Sequence, residues 1–328
     1  MSSINLTFKT NHVKWGQCGD EEGSANCSAH WISIVIPTKN RLNDLRLLIS
    51  AILPQLAGED EIIIVDNGST DQTRGFLQQV ARDAPCIRIF VDETPNLSAI
   101  LNRAIDTARN DTIALFNDDC VPAPTWIESV RKHLSMLPDA AILGGAVNDR
   151  YDRRLVQTVK GFDVFWRAYD ALMMNGDLLK FGVIKEWGSF SVSKTHPPCA
   201  QAVTCLSAAN MVVSKRILKL SGSFDEDLRF NHFDGLLFIW LLQNGFKAYY
   251  IPNAEVIHNN GKFGSARSAY NIGEDTARFL KKLRPRTIAA AVRVYGNALA
   301  FLLFWFFWSR KEGRYSLFAA IRGFLAGV

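Results

Sequence analysis

The feature that most constrains the fold is an alternation, starting at Trp31, of short β-branched runs with segments of helical periodicity. Ile32–Ile36 and Ile62–Val65 are largely apolar, as strands buried on both faces of a parallel sheet must be. Between them, apolar residues recur at three- and four-residue steps from Leu42 to Leu56, which indicates one buried helix face. Repeated strand–helix units of this kind predict an α/β fold with a mostly parallel sheet flanked by helices.

The same alternation continues through most of the chain. Further strands are predicted at Ile87–Val91, Thr112–Phe116, Ala140–Leu143 and Lys247–Ile251, and a helix at Gly235–Asn244 that Gly245 ends. The segment from 148 to 200 has no clear period, and we interpret it as an insertion that shapes an acceptor site.

Polar residues follow three of the predicted strands. They are Pro37-Thr38-Lys39-Asn40-Arg41, Asp66-Asn67-Gly68-Ser69-Thr70-Asp71 and Asn117-Asp118-Asp119. Ligands of open parallel sheets bind outside the carboxyl ends of the strands, so these groups are expected to meet at one edge. Adjacent carboxylates repel each other, and a divalent cation with oxygen ligands relieves that repulsion. The alternative for a single Asp is a helix cap or an Asx turn.

These segments resemble the family 2 glycosyltransferases, whose catalytic domain has the Rossmann-like GT-A fold. The matching pieces, in order, are Ile34–Arg41, Ile64–Asp71, Leu101–Ile105, Phe116–Asp119, Ala209-Asn210, Phe224-Asp225-Glu226, Phe233-Asp234 and Gly245. The resemblance spans Trp31 to about Asn260, and its order and spacing make it specific.

The resemblance implies a role for each matching residue. The nucleotide of a nucleotide-sugar donor would contact Thr38, Asn40, Arg41, Asp66 and Asn102, while Asn117 and Asp118 would approach its ribose and sugar. Asp119 would bind Mg²⁺ or Mn²⁺, and His258 falls where the family often has a histidine that supports the metal or the diphosphate. An isolated histidine is otherwise an ordinary surface or core residue.

Asp234 matches the aspartate that serves the family as general base on the acceptor hydroxyl, and a helix N-cap is its alternative role. The implied reaction is an inverting, metal-assisted displacement that moves one sugar to a saccharide acceptor. The sequence departs from the family pattern at Phe233, where Glu is usual, and at Asn117, where many members have Asp. Those two departures motivate a second hypothesis, an inactive nucleotide-sugar binder. A sugar nucleotidyltransferase is a third, although the chain has no Gly-rich loop after its first strand.

The resemblance also divides the chain. Residues 1–30 would be a loose arm, 31–150 the nucleotide-sugar-binding half, 151–260 the acceptor-binding half of the same domain, and 261–328 a linker helix and a membrane-associating helical tail. The donor would be a UDP-, dTDP- or GDP-sugar, and the acceptor a saccharide or lipid-linked saccharide of a surface polysaccharide route.

The tail is both basic and aromatic. Arg278–Arg322 contains ten Lys and Arg against one acid, Glu312, and Val294–Trp308 is uncharged with a cluster of Phe and Trp at its end. This run is short for a membrane span, so residues 287–328 are expected to lie at a membrane surface. A true span and a homodimer face are the alternatives. Aromatic and basic residues are not interleaved as nucleic-acid binding requires.

The cysteines bear on the compartment of the chain. All six are scattered without a C-x-x-C pair, which favours reduced thiols, and the first thirty residues lack the apolar core of a signal peptide. We therefore expect a peripheral or monotopic enzyme on the cytoplasmic face of the cell membrane.

Overall fold

The structure, a computed structural model, describes residues 30–149, 169–175, 182–185, 196–259, 266–283, 287–312 and 315–327. The expected N-terminal arm, most of the expected insertion, and the side chains of the aromatic run at 301–308 lie outside the described residues.

Eleven strands are formed in the described part of the chain. They are β1 Ile32–Thr38, β2 Glu61–Asp66, β3 Ile87–Val91, β4 Thr112–Phe116, β5 Cys120–Pro122, β6 Ala140–Gly144, β7 Val147–Asp149, β8 Gln201–Val203, β9 Asn210–Ser214, β10 Lys247–Tyr250 and β11 Val256–His258. Eight of them form one sheet in the order β3-β2-β1-β4-β9-β6-β10-β8, and β5-β11-β7 form a small second sheet. Only β9 and β8 run against their neighbours in the large sheet, so the predicted mostly parallel α/β fold is confirmed.

The helices lie on both faces of the large sheet. They are α1 Leu42–Ile52, α2 Thr73–Asp83, α3 Leu97–Thr107, α4 Trp126–Met136, α5 Lys215–Leu220, α6 Phe233–Gln243, α7 Ala266–Lys282, α8 Ile288–Glu312 and α9 Tyr315–Gly327. A 3₁₀ turn at Leu53–Gln55 follows α1, and one π-helical turn covers Asp170–Met174.

Alternate side chains of the central strands enter two separate cores. In β1, Ile34 and Ile36 pack with α1 and α4, whereas Val35 packs with α3 and α6 on the other face. All three are completely buried. Burial on both faces explains why these strands are continuous apolar runs rather than alternating ones.

The antiparallel strand β9 is what brings distant parts of the chain to one edge. Because β9 runs against β4, its first residue, Asn210, lies opposite Phe116, the last residue of β4. The Asn210 side chain is fully buried, accepts a hydrogen bond from Trp126 Nε1 at 2.9 Å and donates to the carbonyls of Ala146 and Ala254. The segment before β9 therefore sits beside the acidic segment after β4.

Two of the C-terminal helices, α7 and α9, pack against each other through small residues. A Cβ added to Gly323 of α9 would overlap the Tyr270 carbonyl oxygen of α7, and one added to Gly273 of α7 would overlap the Ala320 carbonyl oxygen of α9. The backbones of α7 and α9 are thus in direct contact. Among the described residues, no helix combines the length and apolar character needed to cross a bilayer.

Candidate active site

The end of β1 is joined to the end of β4 by a hydrogen bond between two predicted site residues. Thr38 Oγ1 donates to Asp118 Oδ2 at 2.8 Å. Burial, helped by the neighbouring charge of Asp119, raises the pKa of Asp118 to about 6. Asp118 therefore takes up a proton at a higher pH than an ordinary aspartate does.

Asp66 ends β2 and is completely buried. Burial opposes its ionisation, but hydrogen bonds from the Ser69 amide at 2.7 Å and from Arg74 Nε at 2.9 Å outweigh it, so the pKa of Asp66 lies below its usual value. Asp66 is therefore a fixed negative charge, already paired with Arg74, at the predicted nucleotide end of the site.

Asn40 joins the loop after β1 to the loop after β2. Its backbone adopts the left-handed conformation, φ 54°, which Asn tolerates better than most residues. Its side-chain oxygen accepts from the amides of Thr70 and Asp71 at 2.7 and 3.3 Å, and its own amide donates to Ser69 Oγ at 3.0 Å. Asn40 thereby fixes the relative position of two of the predicted nucleotide-binding loops.

Asp119 is contacted from two sides. His258 Nε2 lies 2.9 Å from Asp119 Oδ1, and Arg41 Nη1 lies 3.3 Å from Asp119 Oδ2. The pairing of β5 with β11 sets His258 directly opposite Cys120, which explains how a residue 139 positions later reaches the acidic segment. The geometry places both predicted metal-binding residues side by side.

The residues around Asp119 fit a divalent cation. Ligand atoms of Asp119, Cys120 and His258 all lie within 4.8 Å of one another. A carboxylate oxygen and an imidazole nitrogen suit Mn²⁺ and similar ions, and substrate phosphate oxygens would complete their coordination.

Asp234 reaches the same edge through β9. It lies in the first turn of α6, and the N-cap residue of that helix is His232, so Asp234 is not the N-cap. Its carboxylate accepts from the Ala208 amide at 3.2 Å and from the Gly235 amide at 2.9 Å. Ala208 lies two residues before the start of β9, which pairs with the end of β4. Burial raises the pKa of Asp234, as is useful for a carboxylate that must accept a proton.

Phe233, which departs from the family pattern, is a core residue. Its side chain is buried and meets Phe224 edge-on, with ring centroids 4.9 Å apart. The polar neighbour of Asp234 is instead His232, whose backbone is left-handed with φ 63° and whose pKa is lowered by burial. Where the family usually has a second carboxylate, this chain thus has a buried aromatic ring, and Asp234 is the acid in the first turn of α6.

A comparison with protein families decides the assignment. The model of glycosyl transferase family 2 matches residues 33–194, which include every predicted nucleotide-site residue and Asp119. Residues 33–194 belong to glycosyl transferase family 2. Asp234 and His258 lie beyond the matched range, so their roles as base and metal ligand remain predictions.

Known proteins give this family 2 chain further context. The uncharacterized protein y4gI of Sinorhizobium fredii is 28% identical over 259 residues, which cover 77% of this chain but 26% of the relative. The chain thus spans about a quarter of that protein. Two solved structures share the GT-A fold at 14% identity. S. aureus TarS 1–349 in complex with UDP-GlcNAc has a TM-score of 0.56, and the match covers 91% of this chain and 81% of TarS 1–349. Mannosyltransferase PcManGT from Pyrobaculum calidifontis in complex with GDP-Man and Mn²⁺ has a TM-score of 0.52, and the match covers 90% of this chain and 74% of PcManGT.

Not every predicted residue of the glycosyltransferase joins the cluster. Asn102 of α3 donates to the Phe224 carbonyl and to Glu226, and its oxygen accepts from the Phe224 amide. Its amide group therefore ties α3 to the 224–226 segment. Asn117 is half-buried at the end of β4, next to Asp118. Sequence reasoning missed Arg74, the second residue of α2, which pairs with Asp66. It also missed Cys120, which the pairing of β5 with β11 sets beside His258.

Proposed function

We propose that this family 2 enzyme is an inverting glycosyltransferase that moves one sugar from a nucleotide-diphosphate sugar to a hydroxyl of a saccharide acceptor. One observation carries the proposal. The β4–β9 pairing sets two carboxylates of different character at one sheet edge: Asp119 beside His258, and Asp234 at the start of α6 with a raised pKa.

The donor end of the site is formed by the loops after β1 and β2. Thr38, Arg41 and Asp66 supply a hydroxyl, a guanidinium and a carboxylate, which suit the polar edges of a nucleoside. TarS and PcManGT carry UDP-GlcNAc and GDP-Man, respectively, in structures of similar fold. A UDP-, dTDP- or GDP-sugar is accordingly the proposed donor class.

Asp119 and His258 would hold the divalent cation, Mg²⁺ or Mn²⁺. When bound, that cation neutralises the negative charge that develops on the departing nucleoside diphosphate. Arg41, 3.3 Å from Asp119, adds positive charge on the same side. Its pKa is raised because the charges of Asp118 and Asp119 outweigh the effect of its burial.

Asp234 would remove the proton from the acceptor hydroxyl. As the acceptor oxygen forms its bond to the anomeric carbon, the bond from that carbon to the diphosphate oxygen breaks, and its electron pair leaves with the nucleoside diphosphate. The hydroxyl proton ends on Asp234. Because attack and departure occur on opposite faces of the sugar, the product has inverted configuration.

The test is transfer from a panel of UDP-, dTDP- and GDP-sugars with Mn²⁺ and a membrane extract as acceptor. We expect one donor to release nucleoside diphosphate and transfer its sugar, and a chelator to stop both.

Asp119→Asn should weaken Mn²⁺ binding, measured by calorimetry, by about tenfold or more, since it removes the charged ligand. Asp139→Asn, which breaks a surface ion pair with Lys247, is the matched control and should bind Mn²⁺ normally. Tight nucleotide binding without turnover on any donor would favour the inactive-binder hypothesis instead.

We also propose that the enzyme works at the cytoplasmic face of the membrane on a lipid-linked acceptor. Along α8, Ile288, Val292, Tyr295 and Leu299 recur at four- and three-residue steps, and each is between 60% and 86% exposed. This spacing puts them on one helix face. Phe318 and Leu325 are similarly exposed on α9. An exposed apolar helix face within a basic tail fits an anionic lipid surface.

Replacing two residues of this stripe should release the protein from lipid. We expect Val292→Glu/Leu299→Glu to reduce co-sedimentation with phosphatidylglycerol-containing vesicles several-fold, because it adds charge to the apolar face. Leu220→Glu/Leu242→Glu, which alters exposed apolar residues on α5 and α6, is the control and should leave vesicle binding unchanged. If the stripe variant instead converts a dimer to a monomer, the stripe is a homodimer face and the membrane proposal is wrong.

A further inference from the structure

A single buried carboxylate of α7 holds the segment that leads into α6. Asp275 is 1% exposed and accepts the backbone amides of Arg229 at 3.1 Å, Phe230 at 2.8 Å and Asn231 at 2.9 Å. Hydrogen bonds from backbone N–H groups to a carboxylate are stronger than those between neutral groups. Three successive amides therefore have their position set by one side chain that lies more than forty residues later.

The next residue of the segment is bound by the next residue of α7. His232 Nε2 lies 2.9 Å from Thr276 Oγ1, and the Thr276 hydroxyl donates to the Ile272 carbonyl at 2.6 Å. Because that hydroxyl has one proton, His232 must donate from Nε2, which fixes its tautomer and ring orientation. The ring also stacks on Phe279 of α7, with centroids 5.0 Å apart.

The held segment ends two residues before the proposed base. His232 has a left-handed backbone, an unfavourable conformation for a non-glycine residue that persists only when its surroundings impose it. Here α7 supplies those surroundings, and the chain then turns directly into α6, whose first turn carries Asp234.

We propose that Asp275 is a positioning residue that sets the place of Asp234 by clamping the 229–231 amides. The inference rests on the proposed function only in taking Asp234 as the base. Asp275 does not touch the reacting atoms, and its effect is transmitted through His232 and the start of α6. On this proposal α7 belongs to the framework that positions the active site.

The test compares Asp275→Asn with wild type. In this variant one amide N–H₂ group must face backbone N–H donors, so the clamp loses at least one bond without a change in shape. We expect kcat to fall about 10- to 100-fold, the scale on which small misplacement of a catalytic group acts. The affinity for the nucleoside diphosphate, measured by calorimetry, should stay within twofold. Hydrogen exchange at the amides of 229–231 should accelerate at least tenfold, while exchange in β1 is unchanged.

Glu274→Gln is the matched control. Glu274 is the neighbouring buried carboxylate of the same helix, but its hydrogen bond goes to Arg278. It should leave kcat and loop exchange near wild-type values. The proposal is overturned if Asp275→Asn leaves kcat and loop exchange unchanged, or if nucleotide affinity falls in step with kcat, because a general structural defect would do that.

A second variant covers the case in which Asp275→Asn does not fold. Thr276→Val removes the partner of His232 Nε2 and keeps the side-chain shape, so it should lower kcat by a smaller factor with the same unchanged nucleotide affinity. An unchanged kcat in this folded variant would also overturn the proposal. If wild type itself transfers no sugar, the proposed function fails, and the hydrogen exchange result still decides whether Asp275 clamps the segment.

Discussion

Replacing Asp234 by Asn should abolish sugar transfer while leaving the protein folded. The variant keeps the shape of the side chain but cannot accept the acceptor proton, and loss of a general base lowers kcat by about 10² to 10⁴. Donor binding should be retained, because Thr38, Arg41 and Asp66 lie at or just after the ends of β1 and β2, away from α6. Nucleotide affinity by calorimetry and transfer in a radiolabelled-sugar assay measure the two effects separately.

The pH dependence of the same reaction gives an independent check. Burial raises the pKa of Asp234, so kcat should fall as the pH drops through that raised pKa, where the base becomes protonated. Asp139→Asn should reproduce the wild-type profile, since Asp139 is an exposed partner of Lys247. Transfer by Asp234→Asn at more than a tenth of the wild-type rate would show that another group is the base.

Replacing Gly323 by Ala should destabilise the protein, whereas the same replacement at Gly75 should stabilise it. The new methyl group would overlap the Tyr270 carbonyl oxygen, so α9 must move away from α7. Overpacking of this kind costs about 1–3 kcal/mol, a fall in melting temperature on the order of 5 °C. Thermal unfolding followed by circular dichroism measures it.

Gly75 provides the control for that substitution. It is also a helical glycine, in α2, but a Cβ added there meets no atom within 4 Å. Gly75→Ala should therefore raise stability by about 0.5–1 kcal/mol, because alanine is the better helix former. If Gly323→Ala is as stable as Gly75→Ala, the close contact between α7 and α9 does not exist.

Much of the first half of the fold could be predicted because its information is local. Strands such as β1 and β2 are buried on both faces and read as apolar runs, and the polar loops after them are displayed at one edge by the parallel arrangement. Thr38 and Asp118 meet there as that reasoning requires.

The remaining features depend on long-range pairing, which leaves little local signal. The strands β5 and β11 have three residues each, and neither was predicted, yet their register is what sets His258 opposite Cys120. The antiparallel direction of β9 was not predicted either. Asp275 has no mark in the sequence, because a carboxylate that binds backbone amides looks like any other helical acid until the fold is known.

The position of α7 has a practical consequence for shortened versions of the enzyme. A fragment ending after β11 would keep every residue that the family resemblance assigns, but the amides of 229–231 would lose their acceptor and His232 its support. Such a fragment would contain a complete set of site residues with an unrestrained base. A more soluble form for crystallisation should therefore keep the helices through α9 and replace the exposed apolar residues of α8 by polar ones.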